Sequence, residues 1–394
     1  MAAGAARITV VVVDDSVVVR RLLADVLQSD PEIEVVATSS NGRLGVDAVR
    51  RFRPDVVVMD IEMPVMNGIE AVREIRTTDR RTPIIMFSTL TERGARATFD
   101  ALDAGATDYV TKPGQASAVG SGLEAVRLEL IPRVRALAGR RARVVPSRPP
   151  AVAPRPGISP RPLLGASVPA RTTSVAGVPH IPQALARRPS LVAIGSSTGG
   201  PEALARVLGA LPPTLAVPVV VTQHMPPEFT QLLSERLDRT CAVTVHHATD
   251  GELLQPGTVV IARGGKHLEV VREQGRLVCR LTEAPPVNFC RPAVDVMYRS
   301  LARSVGAGVL GVVLTGMGSD GTAGAADLMA AGATLWAQDE ATSVVWGMPG
   351  SLVGAGCASA VMPLQDIGPA IATAVFGARD RRPLAAVPGG APRG

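Results

Sequence analysis

Short apolar runs closed by polar or glycine turns alternate with stretches of helical period over the first third of the chain. The runs are Ile8–Val13, Ile33–Thr38, Asp55–Met59, Pro83–Phe87 and Thr107–Val110, and helix-period segments such as Val17–Gln28 and Gly68–Arg76 separate them. Continuous apolar strands alternating with helices predict a parallel sheet covered on both faces. From Gly139 to Ser190 the pattern vanishes and Pro, Arg, Ala and Ser dominate. Such a stretch is expected to be a flexible, Pro-extended linker and not part of a compact domain. Alternation resumes at Leu191, with strands expected at Leu191–Gly195, Val217–Thr222, Val243–His246, Val309–Thr315 and Thr334–Ala337. Helices are expected at Pro201–Leu211, Glu228–Leu237, Ala293–Val305 and Thr322–Ala331. Thr258–Leu281 reads as antiparallel hairpins turning at Arg263–Lys266 and Glu273–Arg276. The expected organisation is an α/β domain over 1–138, a linker over 139–190, a second, doubly wound α/β domain with a β-hairpin insertion over 191–378, and a disordered tail over 379–394.

Composition changes this picture in two places. Hydrophobic residues make up 46% and charged residues 19%, which is ample for two cores, but aromatics are only 3%, so the cores must rest on aliphatic side chains. The net charge of +6 is local. Gly139–Ser190 holds nine Arg and no acid; taking those from the 41 basic residues leaves 32 against 35 acidic ones elsewhere. The folded parts are thus mildly acidic. The linker's arginines lack interleaved aromatics, and no nucleic-acid partner is expected. No apolar run approaches the ~18 residues that would span a bilayer. The opening apolar stretch ends at Asp14, too short for a secretory leader, so a cytoplasmic location without membrane insertion is expected. Cys241, Cys279, Cys290 and Cys357 form no C-x-x-C pair, and are expected to be reduced.

Candidate chemistry gathers where strands end, as it does in open α/β sheets. In the first domain Asp14 and Asp15 close one strand, Asp60 closes another, Ser88 closes a third, and Lys112 follows a fourth. Asp14 and Asp15 could merely cap the next helix. Converging carboxylates, however, repel without a cation, and a small, partly wet oxygen site suits Mg²⁺. A carboxylate beside Mg²⁺ and Lys can accept a phosphoryl group, because the cations neutralise the transferring oxygens. Lys112 stands out because Lys occurs only at positions 112 and 266 in a chain that otherwise uses Arg. The segments VVVDDS, VVVMDIEMPVMNGIEA, MFSTL and DYVTKP resemble a response-regulator receiver domain. The resemblance implies a five-stranded flavodoxin-like sheet with Asp60 as phospho-acceptor. It implies Mg²⁺ held by Asp15, Asp60 and the main-chain carbonyl of Glu62, with Asp14 assisting, and a switch pair of Ser88 and Tyr109. Asn67 stands where many receivers have Asp.

In the second domain Gly195, Ser197 and Gly199 fit G-x-S-x-G between a strand and a helix with Pro201 near its start. Such a turn can expose a nucleophilic serine with main-chain N–H groups nearby, cradle a phosphate, or simply cap the helix. A serine nucleophile needs a base. The chain has five His: His180 in the linker, His224 just past a strand, the pair His246 and His247 at another strand's end, and His267. His224 shares the sheet edge of Ser197 and is the favoured base, with His246 and His247 as runners-up. Asp320, past another buried strand, either orients that base or caps the following helix. GSSTGGPEAL, TQHMPPEFT, PPVNFCRPAVDVM and LTGMGSDG resemble the catalytic domain of the CheB family of chemotaxis protein-glutamate methylesterases/glutaminases. The resemblance implies a triad of Ser197, His224 and Asp320, with an oxyanion site at the main chain of Thr198 and Met317. It implies hydrolysis of glutamate γ-methyl esters and deamidation of glutamines, without a metal. It further implies methyl-accepting chemoreceptor cytoplasmic domains as substrate, a chemotaxis sensor histidine kinase as phosphodonor, recruitment to receptor arrays and a monomeric enzyme.

Overall fold

The structure, a computed structural model, describes residues 7–113, 119–143 and 187–377. The expected tail lies outside these residues, as does the linker apart from 139–143 and 187–190. The first domain runs β1 (Ile8–Val13), α1 (Val17–Gln28), β2 (Ile33–Ser39), α2 (Gly42–Phe52), β3 (Val56–Asp60), α3 (Gly68–Thr78), β4 (Ile84–Ser88), α4 (Glu92–Asp103), β5 (Asp108–Thr111) and α5 (Val119–Arg143). Its strands pair in parallel in the order β2-β1-β3-β4-β5. The order reverses between β1 and β3, which opens a crevice at the strand ends where Asp14, Asp15 and Asp60 lie. Every residue of β3 and β4 is buried, so these strands read as unbroken apolar runs. Asn67 caps α3: its side chain accepts from Glu70 N–H at 2.9 Å while Glu70 accepts from Asn67 N–H at 3.0 Å.

The second domain contains β6 (Leu191–Ser196), α6 (Gly200–Gly209), β7 (Val219–Gln223), α7 (Pro227–Thr240), β8 (Thr244–His247), β9 (Thr258–Ile261), β10 (His267–Glu273), β11 (Arg276–Thr282), α8 (Val294–Ser304), β12 (Val309–Val313), α9 (Thr322–Ala330), β13 (Thr334–Gln338), α10 (Gly347–Gly354), β14 (Ala360–Met362) and α11 (Leu364–Phe376). Seven strands form a parallel sheet ordered β14-β13-β12-β6-β7-β9-β8. The reading of 258–281 as hairpins holds only for β10 and β11, which pair antiparallel about Gln274 and Gly275. Thr258–Ile261 instead lies parallel between β7 and β8, because its buried Val259–Ile261 belong to the main sheet. At the other edge β14 extends the sheet beyond the strands expected.

The two domains meet. Tyr109 on β5 stacks on Phe229 of α7, with ring centroids 4.5 Å apart and planes 2° from parallel; Phe99 of α4 tilts against the same ring at 6.3 Å. Arg236 of α7 pairs with Asp103 of α4 and reaches Glu202 of α6 at 3.6 Å, its guanidinium lying over the Phe99 ring. Phe229 is fully buried and Tyr109 is 8% exposed, so this contact is a piece of shared core.

Candidate active site

β12, β6 and β7 are neighbours at the point where strand order reverses in the larger sheet, and the chain leaving each carries one of the three expected residues. Ser197 follows β6 in a turn pinned on both sides. Its N–H donates to Thr315 C=O at 3.0 Å, and its C=O accepts from Gly200 N–H at 2.7 Å and Gln223 Nε2 at 2.9 Å. Gly199 takes φ +73°, and a Cβ there would meet Val344 at 2.5 Å; a Cβ on Gly200 would meet Gln223 Oε1 at 1.9 Å. Both glycines are therefore required by space, and the first also by φ. The adjacent serine differs: Ser196 is fully buried and donates to Gln223 Oε1 at 2.6 Å, whereas Ser197 is partly exposed.

His224 Nε2 and Asp320 Oδ2 lie 2.7 Å apart. Asp320 does not cap the helix that follows it; the N-cap of α9 is Gly321. It accepts from Val294 N–H at 2.6 Å and Asp295 N–H at 3.1 Å, at the start of α8, where the helix dipole favours a negative charge. Asn288 Nδ2 adds a further bond at 3.1 Å. Burial alone would raise this carboxyl, but His224 and the main-chain donors hold it below its ordinary range. Burial would likewise lower the His224 imidazole, yet its bonds to Asp320 and Cys290 outweigh that and raise it to about 9. With Nε2–H donated to Asp320, Nδ1 is the nitrogen left to take a proton. It faces Cys290 Sγ at 3.5 Å. Among the described residues, no hydrogen bond joins Ser197 Oγ to the ring; such bonds commonly tighten only with substrate bound.

Thr198 is buried and Met317 half-buried beside this crest, and among the described residues neither N–H has a hydrogen-bond partner. The other histidines are engaged elsewhere. His246 pairs with Glu252 at 2.9 Å and His247 with Thr230 Oγ1 at 3.0 Å, on an edge strand separated from β7 by β9. Buried His267 accepts from Ala293 N–H at 3.2 Å and donates to Pro285 C=O at 3.1 Å. His180 lies outside the described residues. Lys266 pairs with Glu283 at 3.1 Å.

In the first domain, carboxylate oxygens of Asp14, Asp15 and Asp60 lie within 4.8 Å of one another. Lys112 Nζ reaches Asp14 at 3.1 Å and Asp60 at 2.8 Å. Burial, with Asp14 adding its charge, raises the Asp60 carboxyl to about 6 against the pull of Lys112. Ser88 Oγ is buried and tied to α4, donating to Gly94 C=O at 3.1 Å and accepting from Thr98 Oγ1 at 2.8 Å. The Glu62 side chain turns to Arg93 at 3.3 Å. Tyr109 carries its ring into the other domain. Next to it Asp108 faces Arg133 at 3.2 Å and the Thr198 hydroxyl.

Several residues escaped the sequence reading. Asn288 and Cys290 sit in the quoted stretch PPVNFCRPAVDVM, but nothing in their spacing shows that they meet Asp320 and His224. Asp295 was equally silent; it accepts from Asn288 at 3.0 Å and from Gly324 N–H at 2.7 Å, bracing the Asp320 loop. All four cysteines are free thiols; Cys279 and Cys357 are buried, Cys241 and Cys290 only partly. No helix among the described residues is long and apolar enough to cross a membrane.

A CheB methylesterase family model matches residues 192–371 and a response regulator receiver domain model matches residues 10–122. A protein-glutamate methylesterase/protein-glutamine glutaminase of Nocardioides sp. is 52% identical over 98% of this chain and 99% of its own, and one of Azospirillum brasilense is 45% identical over 94% and 93%. The crystal structure of the Thermotoga maritima CheB methylesterase catalytic domain is 42% identical, covering 47% of this chain and 97% of its own at a TM-score of 0.46. The response regulator domain of Thermotoga maritima CheB is 40% identical, covering 34% and 97% at 0.31. A receiver sheet, a second parallel sheet with Ser197, His224 and Asp320 on one crest, and a relative matching at 52% over nearly the full length show that this chain belongs to the CheB methylesterase family.

Proposed function

We propose that this protein is a phosphorylation-controlled serine hydrolase. Its substrates are the glutamate γ-methyl esters, and specific glutamine amides, of methyl-accepting chemoreceptor cytoplasmic helices. The observation that carries the reading is the buried His224–Asp320 pair at 2.7 Å, on the strand-end crest that also presents Ser197 at a glycine-forced turn. Ser197 Oγ attacks the γ-carbonyl carbon while His224 Nδ1 takes its proton. The C–O bond to the methoxy group breaks, His224 returns the proton, and methanol leaves; from glutamine, ammonia leaves instead. Water, deprotonated by the same ring, then attacks the acyl-enzyme and frees glutamate and Ser197. Asp320 keeps its charge throughout, holding the tautomer and stabilising the imidazolium. The free N–H groups of Thr198 and Met317 receive the oxyanion. The test is methanol release from methylated receptor: Ser197→Ala is expected to lose about 10⁶ in rate, whereas near-normal turnover in Ser197→Ala would overturn the assignment.

Control is assigned to the receiver, with a chemotaxis sensor histidine kinase as phosphodonor, residues 139–190 as linker, and a cytoplasmic monomer recruited to receptor arrays as the working state. The acidic donor set of Asp14, Asp15 and Asp60, joined by the Glu62 carbonyl, fits a hard cation of the Mg²⁺ type. Mg²⁺ bound there would neutralise the transferring phosphoryl oxygens while Lys112 orients the Asp60 carboxylate. In the unphosphorylated state the receiver restrains the esterase, because Tyr109 and Phe99 hold Phe229. Phosphorylation of Asp60, read out through Ser88 and Tyr109, shifts the balance toward release.

A further inference from the structure

Cys290 stands in the second domain for no reason that the ester-hydrolysis chemistry supplies. It closes a two-residue turn in which Val287 N–H donates to Cys290 C=O at 3.1 Å and Cys290 N–H to Val287 C=O at 2.9 Å. The two central residues, Asn288 and Phe289, take φ +51° and +62°. Left-handed backbone at a phenylalanine is uncommon. What the turn achieves is placement: Asn288 braces Asp320, and Cys290 Sγ sits 3.5 Å from the nitrogen of His224 that faces away from Asp320.

We propose that Cys290 Sγ and His224 Nδ1 form a site for a thiophilic divalent cation of the Zn²⁺ type, and that filling it inhibits the esterase. Zn–S bonds of about 2.3 Å and Zn–N bonds of about 2.0–2.1 Å at a tetrahedral angle set sulfur and nitrogen about 3.5 Å apart. That is the separation found, so the metal needs little rearrangement of either side chain. The outer contacts fit as well. A histidine that ligates zinc ordinarily donates its other N–H to a carboxylate, and His224 Nε2 already does so to Asp320 at 2.7 Å. Asp320 belongs to the same cluster of donor atoms, all within 4.8 Å of one another. Its oxygens are, however, already occupied by Val294 N–H, Asp295 N–H, Asn288 and His224, so it serves as outer support and not as a ligand. Water fills the remaining positions, which the partial exposure of Cys290 allows. Binding forms a Zn–S and a Zn–N bond and releases two protons, the thiol's and the Nδ1 proton that an imidazole raised to about 9 carries at neutral pH. The lone pair on Nδ1 is then no longer available to Ser197, and general-base catalysis stops.

The inhibition rests on His224 acting as the base of the hydrolase, but the binding does not, and the two are read separately. The full-length protein, held in excess Mg²⁺ to occupy the receiver carboxylates, is titrated with Co²⁺ as a spectroscopic stand-in and with Zn²⁺ during hydrolysis of a small soluble ester. A thiolate-to-Co²⁺ absorption band is expected in the wild type and in Cys241→Ser, and is expected to be lost in Cys290→Ser. Zn²⁺ is expected to inhibit reversibly, with EDTA restoring the rate. Cys290→Ser is expected to need at least tenfold more Zn²⁺ for half-inhibition relative to its own uninhibited rate. A band that survives Cys290→Ser, or equal inhibition in both proteins, overturns the site. A Cys290-dependent band without inhibition overturns the inhibitory role, while the assignment of His224 as base is decided separately by His224→Ala. Should Cys290→Ser misfold, His224→Gln must lose the band as well, and its persistence there is equally fatal.

Discussion

Replacing Tyr109 with leucine isolates the stacked contact between the domains. The ring lies 4.5 Å from Phe229 with planes 2° apart, and leucine retains much of the apolar area while removing the aromatic pairing. Such a pair contributes about 0.5–1.5 kcal/mol beyond area burial. If the receiver-restrained form dominates in the unphosphorylated protein, the released fraction rises about 2- to 13-fold. Basal methanol release from methylated receptor is expected to rise by the same factor, with the phosphodonor-stimulated ceiling unchanged. Turnover of a small soluble ester should move much less, since that substrate needs little room to approach Ser197. Because Tyr109 is also the expected switch residue, the partner is tested too. Phe229→Leu should raise basal release in the same direction, and Tyr109→Leu added to it should contribute little more, since the stack is already gone. An unchanged basal rate in folded Tyr109→Leu, or fully additive effects of the two substitutions, would refute the idea that this stack restrains the enzyme.

Three further outcomes are expected. His224→Ala should lose several orders of magnitude in kcat, while His246→Ala and His247→Ala, whose rings bond Glu252 and Thr230, should remain within about tenfold of wild type; comparable losses in all three would remove His224 as the base. Asp60→Asn should abolish acetyl-phosphate labelling and phosphodonor stimulation while keeping basal hydrolysis, because the carboxylate lies in the receiver and not on the Ser197 crest; loss of basal activity in a folded protein contradicts this. A fragment from about Pro189 onward should hydrolyse receptor esters faster than the unphosphorylated full chain, with soluble-ester turnover barely altered. A fragment no faster than the full chain would show that the receiver is not an inhibitory cover.

Much of the fold was legible because a strand buried on both faces leaves a run of apolar residues that few other structures require. Val56–Asp60 and Val309–Val313 are fully buried, and each was read to within two residues at either end. What such runs do not encode is the partner. Thr258–Ile261 is apolar and short whether it pairs with β7 or turns back on His267–Glu273, and only the assembled sheet decides. The same limit applies at the site. Ser197 and His224 were visible because each directly follows a buried strand, and Asp320 because it lies in the loop between a buried strand and a helix. The identity of the helix that Asp320 caps was not, since α8 precedes it in sequence and reaches it only through packing. Cys290 and Asn288 were hidden for a different reason. A tight hairpin turn with both central residues at positive φ is ordinarily announced by Asn-Gly, and Asn-Phe gives no such signal.

Thr198 occupies two relationships at once. Its hydroxyl faces Asp108 in the receiver, while its main-chain N–H, in the proposed reaction, faces the substrate oxygen. The chemistry asks only for the N–H, which every residue except proline provides. In the proposed restraint the side chain acts beside the Tyr109–Phe229 stack. If that restraint holds, exchanging the side chain at position 198 would shift how tightly the enzyme is kept silent while leaving the main-chain donor in place, and a collection of such variants would form a graded series of set points on a single catalytic scaffold.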